Sequence, residues 1–260
     1  MQAALGRLTL APAPGRLCDM SDESRSQAQD AFIMGDLLAR QGDVESARGA
    51  FQSAIAMRDA EWSPRAAYHL GELLWAVRDP GGAEAALGVA VAAGHPEWSP
   101  AAEVVQGVIC AARQDVGGAM RAYGAAIASE HPTHAARAYF NLGTLHQQRG
   151  ETGLAVAAYR RAIDYRHNEL SPRAAVNLGY VLFNDLGQVE EAEAAFQVAI
   201  DSSDAEQAQL ARQNLAAMRQ LTAARRRGDR HDIVEDAKDL SVGRGKGSQK
   251  WRRWVRRDPS

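Results

Sequence analysis

Gly35, Gly71, Gly107, Gly143 and Gly179 recur every 36 residues without a slip. Glycine in a helical pattern costs about 1 kcal/mol relative to alanine. Five in register therefore need a packing reason, a helix backbone approached closely at each one. Twelve residues beyond the first four stand Ala47, Ala83, Ala119 and Ala155. Sixteen beyond stand Phe51, Leu87, Tyr123 and Tyr159, and nineteen beyond stand Ala54, Ala90, Ala126 and Ala162. In the last copy Ala192, Phe196 and Ala199 come one residue late, after an insertion at Asn184-Asp185-Leu186. Small, large, small at spacings of four and three marks one face of a helix, and the glycine lies on another. Each copy is thus a helix pair, with the large residue filling the notch left by the small ones. Helix propensity by itself predicts that alanine is harmless at Gly143, and leucine is not.

The punctuation fits. Ser63-Pro64, Ser99-Pro100 and Ser171-Pro172 are expected to supply an N-cap followed by proline at the first helical position. Asp43, Asp79 and Asp115 are expected to cap the second helix, with Glu151 and Gln188 in the equivalent places. Gly42, Gly150 and Gly187 turn the chain between the helices in three copies.

The quartet Gly143, Ala155, Tyr159 and Ala162 resembles the tetratricopeptide repeat, whose helix A carries a small residue and whose helix B carries alanine, an aromatic and alanine. The resemblance runs from Ser26 to about Leu221. Two departures stand out: a period of 36 rather than about 34, and Ala31, Ala67, Glu103, Tyr139 and Ala175 where the family places tryptophan. His95-Pro96-Glu97-Trp98-Ser99-Pro100 resembles linkers of actinobacterial repeat arrays. The fold so implied is all-α, a right-handed solenoid of five helix pairs. A sixth helix A, Ala208 to about Leu221, closes it as a cap. The expected organisation is a flexible leader over 1–25, the solenoid over 26–222 and a basic tail over 223–260.

Charge divides the chain at that last boundary. Residues 219–260 carry 13 cationic and six acidic side chains, a net of +7, against −9 for the remainder. An acidic body disfavours nucleic acid along the solenoid, because phosphate binding needs net cation. In the tail, residues 230–240 read as an acidic helix or linker and 241–249 as a flexible Gly/Ser-rich link. Lys250-Trp251-Arg252-Arg253-Trp254-Val255-Arg256-Arg257 leaves four readings open. It docks on an acidic protein surface, binds anionic lipid, contacts nucleic acid, or is a solvated basic end. No apolar run approaches the ~20 residues of a membrane span. Arg7, Arg16 and two prolines within the first 20 residues argue against a secretory signal. Two cysteines, Cys18 and Cys110, cannot build a disulfide scaffold, so a reducing cytoplasm is the expected compartment.

No catalytic constellation, cofactor motif or phosphate-binding glycine loop stands out, and the reading is not an enzyme. His131 and His134 form an H-x-x-H in an expected loop without the further partners a metal needs. Cys110 stands where other copies have leucine and reads as a small core residue in place of a nucleophile. Trp62 and Trp98 read as staples against the following helix, the rival being exposed docking residues.

The candidate site lies on the free face of helix A. Offsets of −6, −2, +1 and +5 from the glycine are spaced four, three and four, so they form one stripe. They give Arg65, His69, Glu72 and Ala76, then Ala101, Val105, Val108 and Ala112. Copies four and five give Arg137, Asn141, Thr144, Gln148 and Arg173, Asn177, Tyr180, Asn184, and Asn214 extends the row. An asparagine amide donates and accepts, as an extended peptide backbone requires, and arginine forks suit carboxylates. The family resemblance implies the same role for asparagines at this offset. The expected function is a protein-interaction adaptor taking a peptide, an acidic one included, in its concave groove, the alternative being a regulator acting through its tail. The partner's identity and the oligomeric state are not legible.

Overall fold

The structure, a computed structural model, describes residues 16–227. It places eleven helices and no strand among them. Copy one is α1 (Arg16–Gln41) with α2 (Val44–Ala56), and copy two is α3 (Trp62–Ala76) with α4 (Pro80–Ala92). Copy three is α5 (Trp98–Ala112) with α6 (Val116–Ala128), and copy four is α7 (Pro132–Gln148) with α8 (Thr152–Asp164). Copy five is α9 (Leu170–Asn184) with α10 (Val189–Ile200), and α11 (Ala205–Arg227) follows. Each helix packs on its chain neighbours. Beyond that, α1, α3, α5, α7, α9 and α11 pack successively on one another. This is an all-α solenoid, with the core running as a ribbon between the two helix rows.

The glycine register is a packing register. A Cβ at Gly35 would lie 2.6 Å from the Phe51 ring, and one at Gly71 would lie 2.5 Å from Leu87. At Gly107, Gly143 and Gly179 the distances to Tyr123, Tyr159 and Phe196 are 2.4, 2.6 and 2.7 Å. Those five large side chains are all but inaccessible, and the alanines flanking them in helix B are wholly buried. Every pair thus closes by one wedge driven into one notch.

The capping differs from expectation in part. Asp43, Asp79 and Asp115 do accept from Ser46, Gly82 and Gly118 N–H at 3.2, 2.9 and 2.8 Å. The Glu151 and Gln188 side chains make no cap bond. Glu151 instead meets His146 Nδ1 at 2.6 Å and Arg149 Nε at 2.9 Å. Ser63, Ser99 and Ser171 are not N-caps either, because their helices begin one residue earlier. Each is buried and donates its hydroxyl backwards, to Ala54 O (3.0 Å), Ala90 O (2.8 Å) and Ala162 O (3.4 Å), locking helix A onto the preceding helix B. The caps lie further upstream. Asp59 Oδ1 accepts from Glu61 and Trp62 N–H, His95 Nδ1 from Glu97 and Trp98, and His167 Nδ1 from Glu169 and Leu170. His131 Nδ1 holds His134 N–H more loosely, at 3.5 Å.

Gly42, Gly150 and Gly187 turn with φ of +84°, +72° and +68°. In the other two copies Arg78 (+66°) and Gln114 (+64°) take the same left-handed turn. At the ends, α1 starts at Arg16, ten residues before the expected start of the solenoid at Ser26, and so includes Cys18. Helix α11 runs on to Arg227, past the expected boundary at 222. The basic motif at 250–257 lies outside the described residues.

Candidate functional site

The first helices of the copies touch in sequence, whereas the second helices are separated by them. A row whose members are close-packed is the inner side of a curved stack, so the free face of helix A lines the concave wall. The predicted stripe lies on that wall, and its members differ in depth.

In copy two, Arg65 is enclosed by rings from three successive helices. Its guanidinium carbon lies 4.6 Å from the Phe32 centroid, 5.3 Å from Trp62 and 5.2 Å from Trp98. Trp98 also packs 5.5 Å from Tyr68 and 5.6 Å from His69, and Trp62 lies 5.5 Å from Phe32. The tryptophans are therefore not staples on their own helices. They bridge backwards to the preceding helix A, because the first turn of one A helix abuts the middle of the one before it. The Arg65 Nε and both indole N–H groups are buried without an acceptor. His69 lies 3.7 Å from Glu72. In copy three Val105 and Val108 are half-buried, Ala101 is buried and Ala112 is exposed, so this stretch of wall is apolar.

Copies four and five form a polar network. Asn141 is buried, and its amide nitrogen has no acceptor. Thr144 donates to Phe140 O of its own helix at 3.2 Å. The ring of Tyr159 fills the Gly143 notch from helix B, and its hydroxyl emerges among the groove residues. It donates to Gln147 Oε1 at 2.8 Å, lies 3.3 Å from Thr144 Oγ1 and accepts from Asn177 Nδ2 at 3.5 Å. Burial pushes the Tyr159 phenol up to about 12, so it stays protonated. Arg173 stacks 5.7 Å from Phe140, repeating the Arg65–Phe32 relation 108 residues on. Burial draws its guanidinium down, opposed by the charges of Asp204, Glu169 and Glu206. Arg137 is half-buried, and its charge adds to the downward pull on Arg173. Tyr180 and Asn214 are half-buried; Gln148 and Asn184 are exposed at the rim, Asn184 donating to Tyr180 O at 3.2 Å.

The stripe therefore brings Arg137, Asn141, Thr144, Arg173 and Asn177 onto one wall, but it omits two contributors. Gln147 falls off the four-three-four spacing, and Tyr159 comes from helix B. Outside the stripe, the capping histidines His95, His131 and His167 recur every 36 residues, a signal already legible in the sequence. His131 and His134 stack at 4.4 Å, but His134 belongs to helix α7, not to a loop. Burial, then the charges of His131 and Arg137, push His134 down to about 3. Among the described residues no three His, Cys, Asp or Glu side chains gather as a metal cage. Cys110 is half-buried against the copy-three core, and burial raises its thiol further from reactivity. No described helix is long and apolar enough to cross a membrane.

Comparison with known proteins agrees with this architecture. The family profile described as tetratricopeptide repeat matches residues 34–97, 111–166 and 140–208. No curated protein matches the chain. Among solved structures, the crystal structure of MamA protein superposes with a TM-score of 0.52 at 22% identity, over 67% of this chain and 91% of that one. The Rap conjugation gene regulator of plasmid pLS20, solved in complex with the Phr* peptide, superposes with a TM-score of 0.49 at 16% identity, over 92% of this chain and 69% of that one. With the glycine notch, the helix pairs and the profile in agreement over most of its length, the chain belongs to the tetratricopeptide repeat family, and its solenoid is a protein-interaction scaffold.

Proposed function

We propose that the chain is a cytoplasmic adaptor that holds an extended, acidic peptide segment of a partner protein in the groove of copies four and five. The observation that carries this reading is the Asn141 amide, buried on the inner wall with a donor that lacks an acceptor. A buried unmade hydrogen bond costs about 1–3 kcal/mol. A peptide carbonyl laid along the wall supplies the acceptor, Asn177 and Asn214 continue the row, and Arg137 and Arg173 meet carboxylates. Arg65, His69, Thr144, Gln148, Tyr180 and Asn184 flank the path. Affinity purification from the native host, followed by titration calorimetry with the captured partner, tests it. Asn177→Ala combined with Arg173→Glu is expected to weaken binding at least tenfold, on the worth of one neutral and one charge-assisted hydrogen bond. Unchanged affinity in that double variant overturns the groove as the site.

A further inference from the structure

The inner wall changes character along the stack in a fixed order. Copy two presents the Arg65 fork, copy three the apolar Ala101, Val105 and Val108, copy four Arg137 with Asn141, and copy five Arg173 with Asn177. Several other arginines have carboxylate partners: Arg48 with Asp79 and Arg160 with Glu191 on the outer row, and Arg113, at the end of α5, with Glu84. Arg65 has none within ion-pair distance among the described residues. Its cation is held by three rings, and three N–H groups around it are buried without an acceptor. Ring stacking fixes the plane of the guanidinium and leaves its edge for an oxyanion.

The spacing follows from two general dimensions. Packed helices stand about 8–10 Å apart, and an extended chain advances about 3.3 Å per residue. An extended ligand crossing the A helices therefore moves about three residues per copy. We infer that the groove reads a side-chain pattern, acid-x-x-apolar-x-x-acid-x-x-acid or its reverse, with the lone acid on Arg65, the apolar residue on Val105 and Val108, and the paired acids on Arg137 and Arg173. This rests on the groove reading above and extends it by two copies. The occupant is an acidic partner segment. The chain's own end at 250–257 carries four arginines and one lysine, the wrong sign for this wall.

The test uses the full chain and fluorescein-labelled synthetic peptides of glutamate, leucine and serine. One has spacers of two serines, giving a three-residue register, in both chain directions. Comparators have one or three serines per spacer at equal charge. Fluorescence anisotropy at about 0.1 M salt reads affinity with surface charges only partly screened. The three-residue register is expected to bind about tenfold tighter than either comparator, the worth of one charge-assisted hydrogen bond put in or out of reach. Arg65→Gln is expected to remove the contribution of the lone glutamate and leave that of the pair, read as a double-mutant cycle with a peptide lacking the lone acid. Val105→Glu is expected to weaken the leucine-bearing peptide and spare its serine counterpart. Circular dichroism confirms that each variant is folded. Equal affinities across spacings, with Arg173→Glu still abolishing binding, overturn the register while the groove stands. Binding indifferent to both Arg65→Gln and Arg173→Glu overturns the groove as well. If no peptide binds, the inference falls, and the captured native partner judges the groove separately.

Discussion

A methyl group is the smallest side chain that can be added to glycine, and at Gly143 it is already too large. The added carbon would sit 2.6 Å from Tyr159 Cδ1 and Cε1, on a ring wedged between two backbones. Helix propensity favours Gly143→Ala, but the clash outweighs it. The change is expected to destabilise by about 1–3 kcal/mol, and Gly143→Leu by more, in urea denaturation. The opposite sign is expected at Gln114, held at φ +64° where other copies have glycine. A left-handed non-glycine residue costs about 1–2 kcal/mol, from which glycine's larger unfolded-state entropy takes back about 0.5–1. Gln114→Gly therefore should stabilise by up to about 1 kcal/mol in the same assay. Asn141 shows how depth changes a residue's use as a probe. It is 4% exposed, so its truncation disturbs packing as well as binding, whereas half-buried Asn177 gives up only a long bond to the Tyr159 hydroxyl and reports binding more cleanly.

At the level of elements, the junctions between repeats are held by histidine rings. His95 and His167 each accept two backbone N–H groups at Nδ1, and His131 accepts one. A protonated imidazole has no acceptor nitrogen there and loses the cap. His134, in the first turn of α7, is drawn to about 3, and His167 is drawn down too, in both cases first by burial. A base whose folded pKa lies below its unfolded 6.5 binds fewer protons folded than unfolded. Its contribution is complete above about pH 6.5 and is lost as pH falls from there towards the folded value. For His134 alone the loss between pH 6.5 and pH 5 is about 2 kcal/mol. The melting temperature should therefore drop between pH 7 and pH 5, and His134→Leu should flatten that dependence. A profile equally steep in the variant would remove His134 as the source.

At the scale of the whole molecule, the two ends are finished differently. The outward face of α11 is polar, with Arg212, Gln213 and Gln220 exposed. On α1, Met34 and Leu37 stand half-exposed where later copies bury Leu70, Leu178, Ile109 and Val181 against the preceding repeat. Copy one thus keeps, at these two positions, the apolar residues that the later copies bury. Because each repeat buries surface only against its neighbours, the stack is extended. A fragment covering 16–227 should show a radius of gyration clearly above the ~17 Å of a compact chain of that length in X-ray scattering. Deleting residues 241–260 is expected to leave the melting temperature nearly unchanged. A Gly/Ser-rich link and eight charged and aromatic residues offer little apolar area to a core. A fall of many degrees would place the tail on the solenoid.

The fold was legible because its determinants are local and repeated. A one-residue notch, an alanine–large–alanine face and an aspartate cap need only sequence spacing to be recognised, and five copies in phase exclude coincidence. The groove stripe was legible for the same reason, since helical periodicity alone sets which side chains share a face. Other features depend on atoms far apart in the chain. Ser63 reads as an N-cap until its neighbour across nine residues, the Ala54 carbonyl, is in place. Trp98 reads as a staple until the preceding helix A brings Tyr68 and Arg65 to it. Tyr159 belongs to the core by pattern, yet its hydroxyl reaches the groove through the space Gly143 leaves. The sequence by itself determined the helix pairs, their period and the face they expose, because those follow from backbone geometry. Only the tertiary structure decided which donors on that face are buried without partners and which rings enclose Arg65, because burial and partnership are properties of packed neighbours.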